Sequence, residues 1–181
     1  MSDELAFAPA WQVRDLVRSK KVSPKELVDN FLSRIESLDP KLNSYITVTA
    51  DLARKTAAEA EEAVARGDQL GPLHGIPISI KDLEFSKGIR STMGSYIFRN
   101  HIPDEDSVVV ERVKQAGAII LGKTNTPEFG QSATTENRLT EPCRNPWDLE
   151  RTSGGSSGGA AAALAAGLCS LATGTDGGGS I

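Results

Sequence analysis

The sequence predicts a mixed α/β fold, in which a central β-sheet is covered by helices and entered through a helical N-terminal lead-in. Three observations carry that prediction. Residues 1–66 repeat apolar side chains at helical spacing. From Gly71 onward, short apolar runs alternate with helical segments. The last thirty residues are rich in glycine, alanine and serine, and Asp176 is their only charge.

In the lead-in, Trp11, Leu16 and Val17 suggest a first short helix ending near Lys20 and Lys21. Ser23-Pro24-Lys25-Glu26 is a capping box with proline at the first helical position. Leu27, Val28, Phe31, Leu32 and Ile35 mark one buried face of the helix that follows, and Pro40 is expected to stop it. A third, alanine-rich helix over 51–66 closes at Gly67, and its charges read as a solvated face. Residues 67–181 read as the start of an α/β core. Within it, 76–80 is a buried strand running into Lys81-Asp82, 108–115 a helix ended by Gly117, and 118–121 a second buried strand. Residues 160–166 should form a thin helix able to pack close to a sheet. Nine of the 17 glycines lie from Gly154 onward, and this end of the chain reads as low-charge core, not a tail.

Composition narrows the function classes. At 181 residues and 19.2 kDa the chain has the length of one domain, 1–181. Twenty Lys+Arg against 24 Asp+Glu leave a net charge of −4 with no basic block, which argues against nucleic acid as a partner. Hydrophobic content of 39% with 24% charge fits a soluble globular chain. The start Met-Ser-Asp-Glu-Leu lacks a secretion signal, and 158–174 is too short and too rich in Ala and Gly to span a membrane. Cys143 and Cys169 are expected as free thiols in a reducing cytoplasm. With His74 and His101 they show no recognisable metal-ligand spacing, so a zinc site is not expected.

Two formal motifs fail on mechanism. Gly117-Ala-Ile-Ile-Leu-Gly122-Lys123-Thr124 fits a phosphate-binding P-loop, but its four middle residues form a hydrophobic strand instead of an exposed loop before a helix. Gly155-Ser156-Ser157-Gly158-Gly159 fits the nucleophile elbow of α/β-hydrolases, with Ser157 as nucleophile. A turn-like stretch precedes it, however, and no histidine follows. A third set carries more weight as a set: Lys81 at a strand end, the serine loop 154–159, and Thr175-Asp176-Gly177-Gly178-Gly179-Ser180.

Amide cleavage needs a nucleophile, a proton acceptor and donors for the developing oxyanion. Ser180 can attack, and the N–H groups of Gly177, Gly178, Gly179 and Ser180 can form the oxyanion hole. The acceptor would be Lys81. At an ordinary pKa of about 10.4 only about 0.04% of a lysine is neutral at pH 7, a handicap of roughly 4.6 kcal/mol. Full burial lowers a lysine by about 3–5 units, which covers the gap. Asp82 should point away from Lys81, because neighbouring strand residues face opposite sides. Ser156 or Ser157 could relay the proton, since a hydroxyl both donates and accepts.

These segments resemble the amidase signature family of serine hydrolases. The resemblance rests on Gly-Gly-Ser-Ser-Gly-Gly at 154–159, Gly-Thr-Asp-Gly-Gly-Gly-Ser-Ile at 174–181, and Gly75-Ile-Pro-Ile-Ser-Ile-Lys81-Asp82. Leu121-Gly-Lys-Thr-Asn-Thr-Pro-Glu-Phe-Gly130 and Asn145-Pro-Trp-Asp148 extend it over nearly the whole chain. It implies a Ser–cis-Ser–Lys triad, with Ser180 as nucleophile, Ser156 as bridging serine beside a cis peptide, and Lys81 as base. The family's interval between its two serines selects Ser156 over Ser157, which becomes a supporting residue with Thr175 and Asp176. The implied oxyanion hole again maps onto Gly177–Ser180, with no cofactor. Members usually run to more than twice this length, so the chain is expected to be an N-terminal portion that hydrolyses little alone.

The leading expectation is a stand-alone amidase that hydrolyses a small carboxylic amide through an acyl-enzyme, with a homodimer left open. One alternative is the A subunit of a glutamyl-tRNA amidotransferase, which releases ammonia from glutamine. That protein typically reads Gly-Lys-Thr-Asn-Met-Asp-Glu-Phe, whereas Thr126-Pro127 here replaces Met-Asp, as in stand-alone amidases. A second alternative is a non-catalytic remnant.

Overall fold

In the computed structural model, residues 3–181 are described. Met1 and Ser2, at the head of the segment read above for a secretion signal, lie outside them. Short α1 (Asp3–Ala6) leads to α2 (Ala10–Arg18), which buries Val13 and Val17. Trp11, one of the residues that suggested this helix, is 62% exposed, offset from the ridge that Val13 and Val17 form one turn apart.

Helix α3 (Pro24–Leu42) starts as predicted. The Ser23 hydroxyl accepts from the Glu26 N–H (3.2 Å), while the Glu26 carboxylate accepts from the Ser23 N–H (3.0 Å). It does not stop at Pro40. That proline lies in the last turn, where it removes only one helical hydrogen bond, and Asn43 ends the helix in the left-handed conformation (φ 52°). Asp39 then accepts from the Ser44 N–H (2.7 Å) and turns the chain into β1 (Tyr45–Val48). This strand interrupts a lead-in expected to be helical throughout. Helix α4 (Ala50–Arg66) follows and closes at Gly67 (φ 78°). Its alanine face (Ala53, Ala57, Ala60) packs with α3's Leu27, Val28, Phe31 and Ile35 in the main core.

β2 (Pro77–Lys81) and β3 (Ile119–Thr124) are parallel neighbours at the centre of a four-stranded mixed sheet that also holds β6 (Leu171–Ala172), ordered β1-β3-β2-β6. β1 lies antiparallel to β3, and two-residue β6 lies parallel to β2. β3 runs three residues past its predicted end, to Thr124. Both central strands are buried along their length, as strands covered on both faces are. Between them runs α5 (Val108–Gln115), whose Val110 joins Ile78, Ile80 and Ile120 in a second apolar cluster. The turn-like stretch around Pro146 is the loop of a small hairpin, β4 (Arg144–Asn145) and β5 (Asp148–Thr152), exposed along β5.

α6 (Gly158–Ala165) is the expected thin helix. A Cβ on Gly159 would stand 2.3 Å from the Asn125 nitrogen, 2.5 Å from its carbonyl oxygen and 2.7 Å from the Ser44 oxygen, all backbone atoms. Only glycine lets α6 approach the end of β3 this closely. Beyond β6, the stretch expected as core lies at the surface: Asp176, Gly177, Gly178 and Gly179 are exposed.

Because the atoms facing Gly159 cannot rotate away, Gly159→Ala should cost about 3 kcal/mol, the upper end of ordinary overpacking. Calorimetry should then find Tm lowered by roughly 6–12 °C. An unchanged Tm would mean the helix is not pinned at this contact.

Candidate active site

Strand alternation sorts the residues around the end of β2. Ile78 and Ile80 enter the apolar cluster, whereas Ser79 and Lys81 lie on the opposite face. Ser79 shares a buried hydrogen bond with the Tyr45 hydroxyl (2.6 Å). Lys81 is completely buried, and its Nζ donates to three hydroxyls, Ser156 Oγ, Ser157 Oγ and Thr175 Oγ1, each at 2.8 Å. The Thr175 carbonyl lies 3.3 Å from the same nitrogen. Two loops that are distant in sequence thus converge on one amine. The Gly155–Ser156 peptide at this point is cis.

Asp82 turns the other way. Its carboxylate accepts from the Thr92 N–H (2.9 Å) and hydroxyl, and it faces Lys123 at 3.8 Å. Lys123, the lysine of the P-loop-like string, is buried in β3 and donates to Ser86 Oγ (3.1 Å), Ser91 Oγ (3.0 Å) and the Glu84 carbonyl. Such a side chain cannot reach a phosphate, and the residues before it are strand. With Asp82 occupied elsewhere, Lys81 has, among the described residues, no carboxylate in contact to hold its proton.

Burial pushes the Lys81 amine down to about 8, against the opposing pull of the Asp176 and Glu84 charges. About a tenth of such an amine is neutral at pH 7, and the handicap shrinks to roughly 1.4 kcal/mol. The depression is smaller than full burial alone would give, because those two carboxylates favour the cation.

Ser180 stands beside the cluster. Its carbonyl accepts from the Ser157 N–H (3.1 Å), and it lines a cleft of about 600 Å³ together with Gly154, Gly155, Ser157 and Gly174. Among the described residues its hydroxyl makes no hydrogen bond, so Ser180 joins the group through its backbone. Of the N–H groups expected to form an oxyanion hole, those of Gly178 (2.8 Å) and Gly179 donate instead to the Asp176 carboxylate, as does the Ile181 N–H (3.2 Å), which was not among them; these bonds and one from the Ser180 backbone hold that carboxyl down at about 2. A larger groove of about 650 Å³, lined by Phe7, Leu42, Trp147 and Leu164, brings no such group of hydroxyls together.

Several supporting residues escaped the sequence. Thr173 Oγ1 accepts from the Lys81 N–H (2.8 Å). Glu84 acts on the lysine from a distance. Buried Asn125 and Thr126 and half-buried Asn137 form a hydrogen-bonded knot beneath Ser156. The only signal for the first two was the Lys-Thr-Asn-Thr string, and nothing marked Asn137. Both cysteines are buried, which pushes each thiol up to about 11. Among the described residues no group of His, Cys, Asp or Glu is placed to hold a metal, and no helix is long and apolar enough to cross a membrane.

The family model described as Amidase matches residues 26–181. The chain is 47% identical over 178 residues to the A subunit of the glutamyl-tRNA(Gln) amidotransferase from Carboxydothermus hydrogenoformans, and 45% identical to its counterpart from Moorella thermoacetica. Each comparison covers 98% of this chain and 37% of the relative, so the chain spans little more than a third of their length. Among solved structures, a bacterial aryl acylamidase of the amidase signature family superposes with a TM-score of 0.92 at 37% identity, over 97% of this chain and 36% of that one. Peptide amidase from Stenotrophomonas maltophilia gives 0.83 at 32% identity, over 91% and 35% respectively.

These relatives correct two expectations. The stand-alone amidase rests on Thr126-Pro127, two positions, and it yields to 45–47% identity over nearly the whole chain. The exclusion of nucleic acid rests on the lack of a basic block. The relatives are named as subunits of an enzyme of glutamyl-tRNA, and the charge of one component does not report what an assembly handles.

The Lys81 geometry carries its own prediction. Followed by NMR of its side chain, Lys81 should titrate with a midpoint near 8, while exposed lysines titrate near the ordinary value of about 10.4. A midpoint at the ordinary value would place the amine in water.

Proposed function

Because this chain belongs to the amidase family, we propose that it is part of the A subunit of a glutamyl-tRNA(Gln) amidotransferase, the component that frees ammonia from glutamine. The observation that carries the proposal is the identity to such proteins along 98% of the chain, with every element of the Lys81 cluster inside the matched stretch.

In the proposed reaction Ser180 is the nucleophile, Ser156 the relay and Lys81 the base. Ser180 Oγ attacks the side-chain amide carbon of glutamine. Its proton passes to Ser156 Oγ as the proton of Ser156 passes to neutral Lys81 Nζ. The carbonyl electrons move onto oxygen, where N–H groups of Gly177–Ser180 stabilise them once they turn from Asp176 to the substrate. When the tetrahedral intermediate collapses, the C–N bond breaks, and the proton returns from Lys81 through Ser156 to the leaving nitrogen as ammonia. Water, activated by the same relay, then cleaves the glutamyl ester and restores Ser180. Ser157 and Thr175 hold the amine throughout, which leaves Ser156 as the hydroxyl free to exchange protons.

The geometry supports this order of events because Lys81 reaches Ser156 but not Ser180. A bridging hydroxyl is needed, and Ser156 and Ser157 are the serines at 2.8 Å. Ammonia released here would serve a partner protein that amidates a tRNA-bound glutamate.

The test uses the full-length protein assembled with its partner subunits. Ammonia release from glutamine should fall about 10³-fold or more in both Ser180→Ala and Lys81→Ala, with transfer to glutamyl-tRNA falling in parallel. Hydrolysis of simple amides with no dependence on partners or tRNA would count against the assignment.

A further inference from the structure

The peptide unit joining Ser156 to Ser157 is gripped at both ends. Its carbonyl oxygen accepts from Thr126 Oγ1 (3.1 Å), and its N–H donates to the carbonyl of Ser180 (3.1 Å). In a planar trans peptide these two groups point in opposite directions, so fixing both fixes the plane. We propose that Thr126 is a positioning residue for the proton relay, whose hydroxyl sets the orientation of the peptide that ties Ser156 to the backbone of Ser180. The inference rests on assigning Ser156 and Ser180 as relay and nucleophile.

Thr126 is built to hold its hydroxyl still. It is completely buried just beyond the end of β3. Its N–H donates to the Asn125 side-chain oxygen (2.9 Å), and its carbonyl accepts from Asn137 Nδ2 (2.9 Å). Asn137 also donates to that Asn125 oxygen (2.7 Å), and the Asn125 N–H donates to the Ser44 carbonyl (2.8 Å). Any buried carbonyl is expected to find a donor, so this bond alone would signify little. What distinguishes it is the other end of the same peptide. If that plane rotates, the Ser156 Cα and the hydrogen bond to Ser180 move together, and the 2.8 Å contact between Ser156 Oγ and Lys81 Nζ moves with them. Thr126 is also where the sequence departs from the amidotransferase pattern. The departure that suggested a different substrate lies under the relay instead.

Amide hydrogen exchange measured by NMR on Thr126→Val and Thr126→Ser tests this. Valine keeps the shape and loses the donor. The Ser157 amide should then exchange about tenfold faster, while amides of β3 keep their protection. In Thr126→Ser the Ser157 amide should exchange at nearly the wild-type rate. Labelling of Ser180 by a fluorophosphonate, measured on the full-length protein, should slow about tenfold in the valine variant and recover in the serine variant. Unchanged Ser157 exchange in Thr126→Val, or equal acceleration of every amide, would overturn the proposal. Should the valine variant fail to fold, the wild-type protein decides it: the Thr126 hydroxyl proton should be protected and show a nuclear Overhauser contact to Ser156, and exchange at the solvent rate would overturn the proposal. A wild-type protein with a protected Ser157 amide whose Ser180 is never labelled would remove the relay assignment and leave the grip on the peptide standing.

Discussion

A primary amine buried among three hydroxyls is the constraint around which this end of the molecule is organised. Among the described residues Lys81 Nζ has no carboxylate in contact, and its partners are Ser156, Ser157 and Thr175. An isolated buried ammonium is costly, and hydroxyls offset that cost only in part, so the neutral share rises to about a tenth at pH 7. That share makes lysine usable as a base near neutral pH.

The fold meets this constraint by how it distributes charge. Two lysines occupy adjacent central strands, and pleating sends them to opposite faces. Lys123 takes Asp82 as its ionic partner and ties down the segment after β2, leaving Lys81 to the serine loop. The serine loop reaches Lys81 because α6 has almost no side-chain thickness, and Gly159 lets it touch the backbone of Asn125, just past β3, and of Ser44. Sheet order contributes as well. β6 lies parallel to β2, so the chain leaving it runs past Lys81, where Thr173 and Thr175 contact its backbone N–H and its amine.

Much of this was legible in the sequence, for reasons that differ by element. The capping box at Ser23, the left-handed closure at Gly67 and the buried face of α3 are local signals, decided within a few residues. β1 was missed because four residues wedged between two helices leave too short a pattern, and its burial depends on pairing with β3, which lies far along the chain. Pro40 misled because position within the helix decides what a proline costs, and the true terminus is set by Asn43. In the site, Lys81, Ser156 and Ser180 stood out as motif residues. Thr126 and Asn137 did not, since their roles arise from hydrogen bonds across 30 and 11 residues that no spacing encodes. Function was the weakest inference from sequence: two residues were weighed as markers of substrate, against 47% identity to an amidotransferase A subunit over 98% of the chain.

The rate at which a fluorophosphonate captures Ser180, followed against pH in the full-length protein and in Lys81→Met, tests the neutral-lysine claim most directly. The account predicts a rate that climbs with pH through a single ionisation near 8 and a variant that reacts at only a residual, pH-independent rate. A wild-type profile governed by an ionisation elsewhere, or a methionine variant captured as fast as wild type, would contradict it.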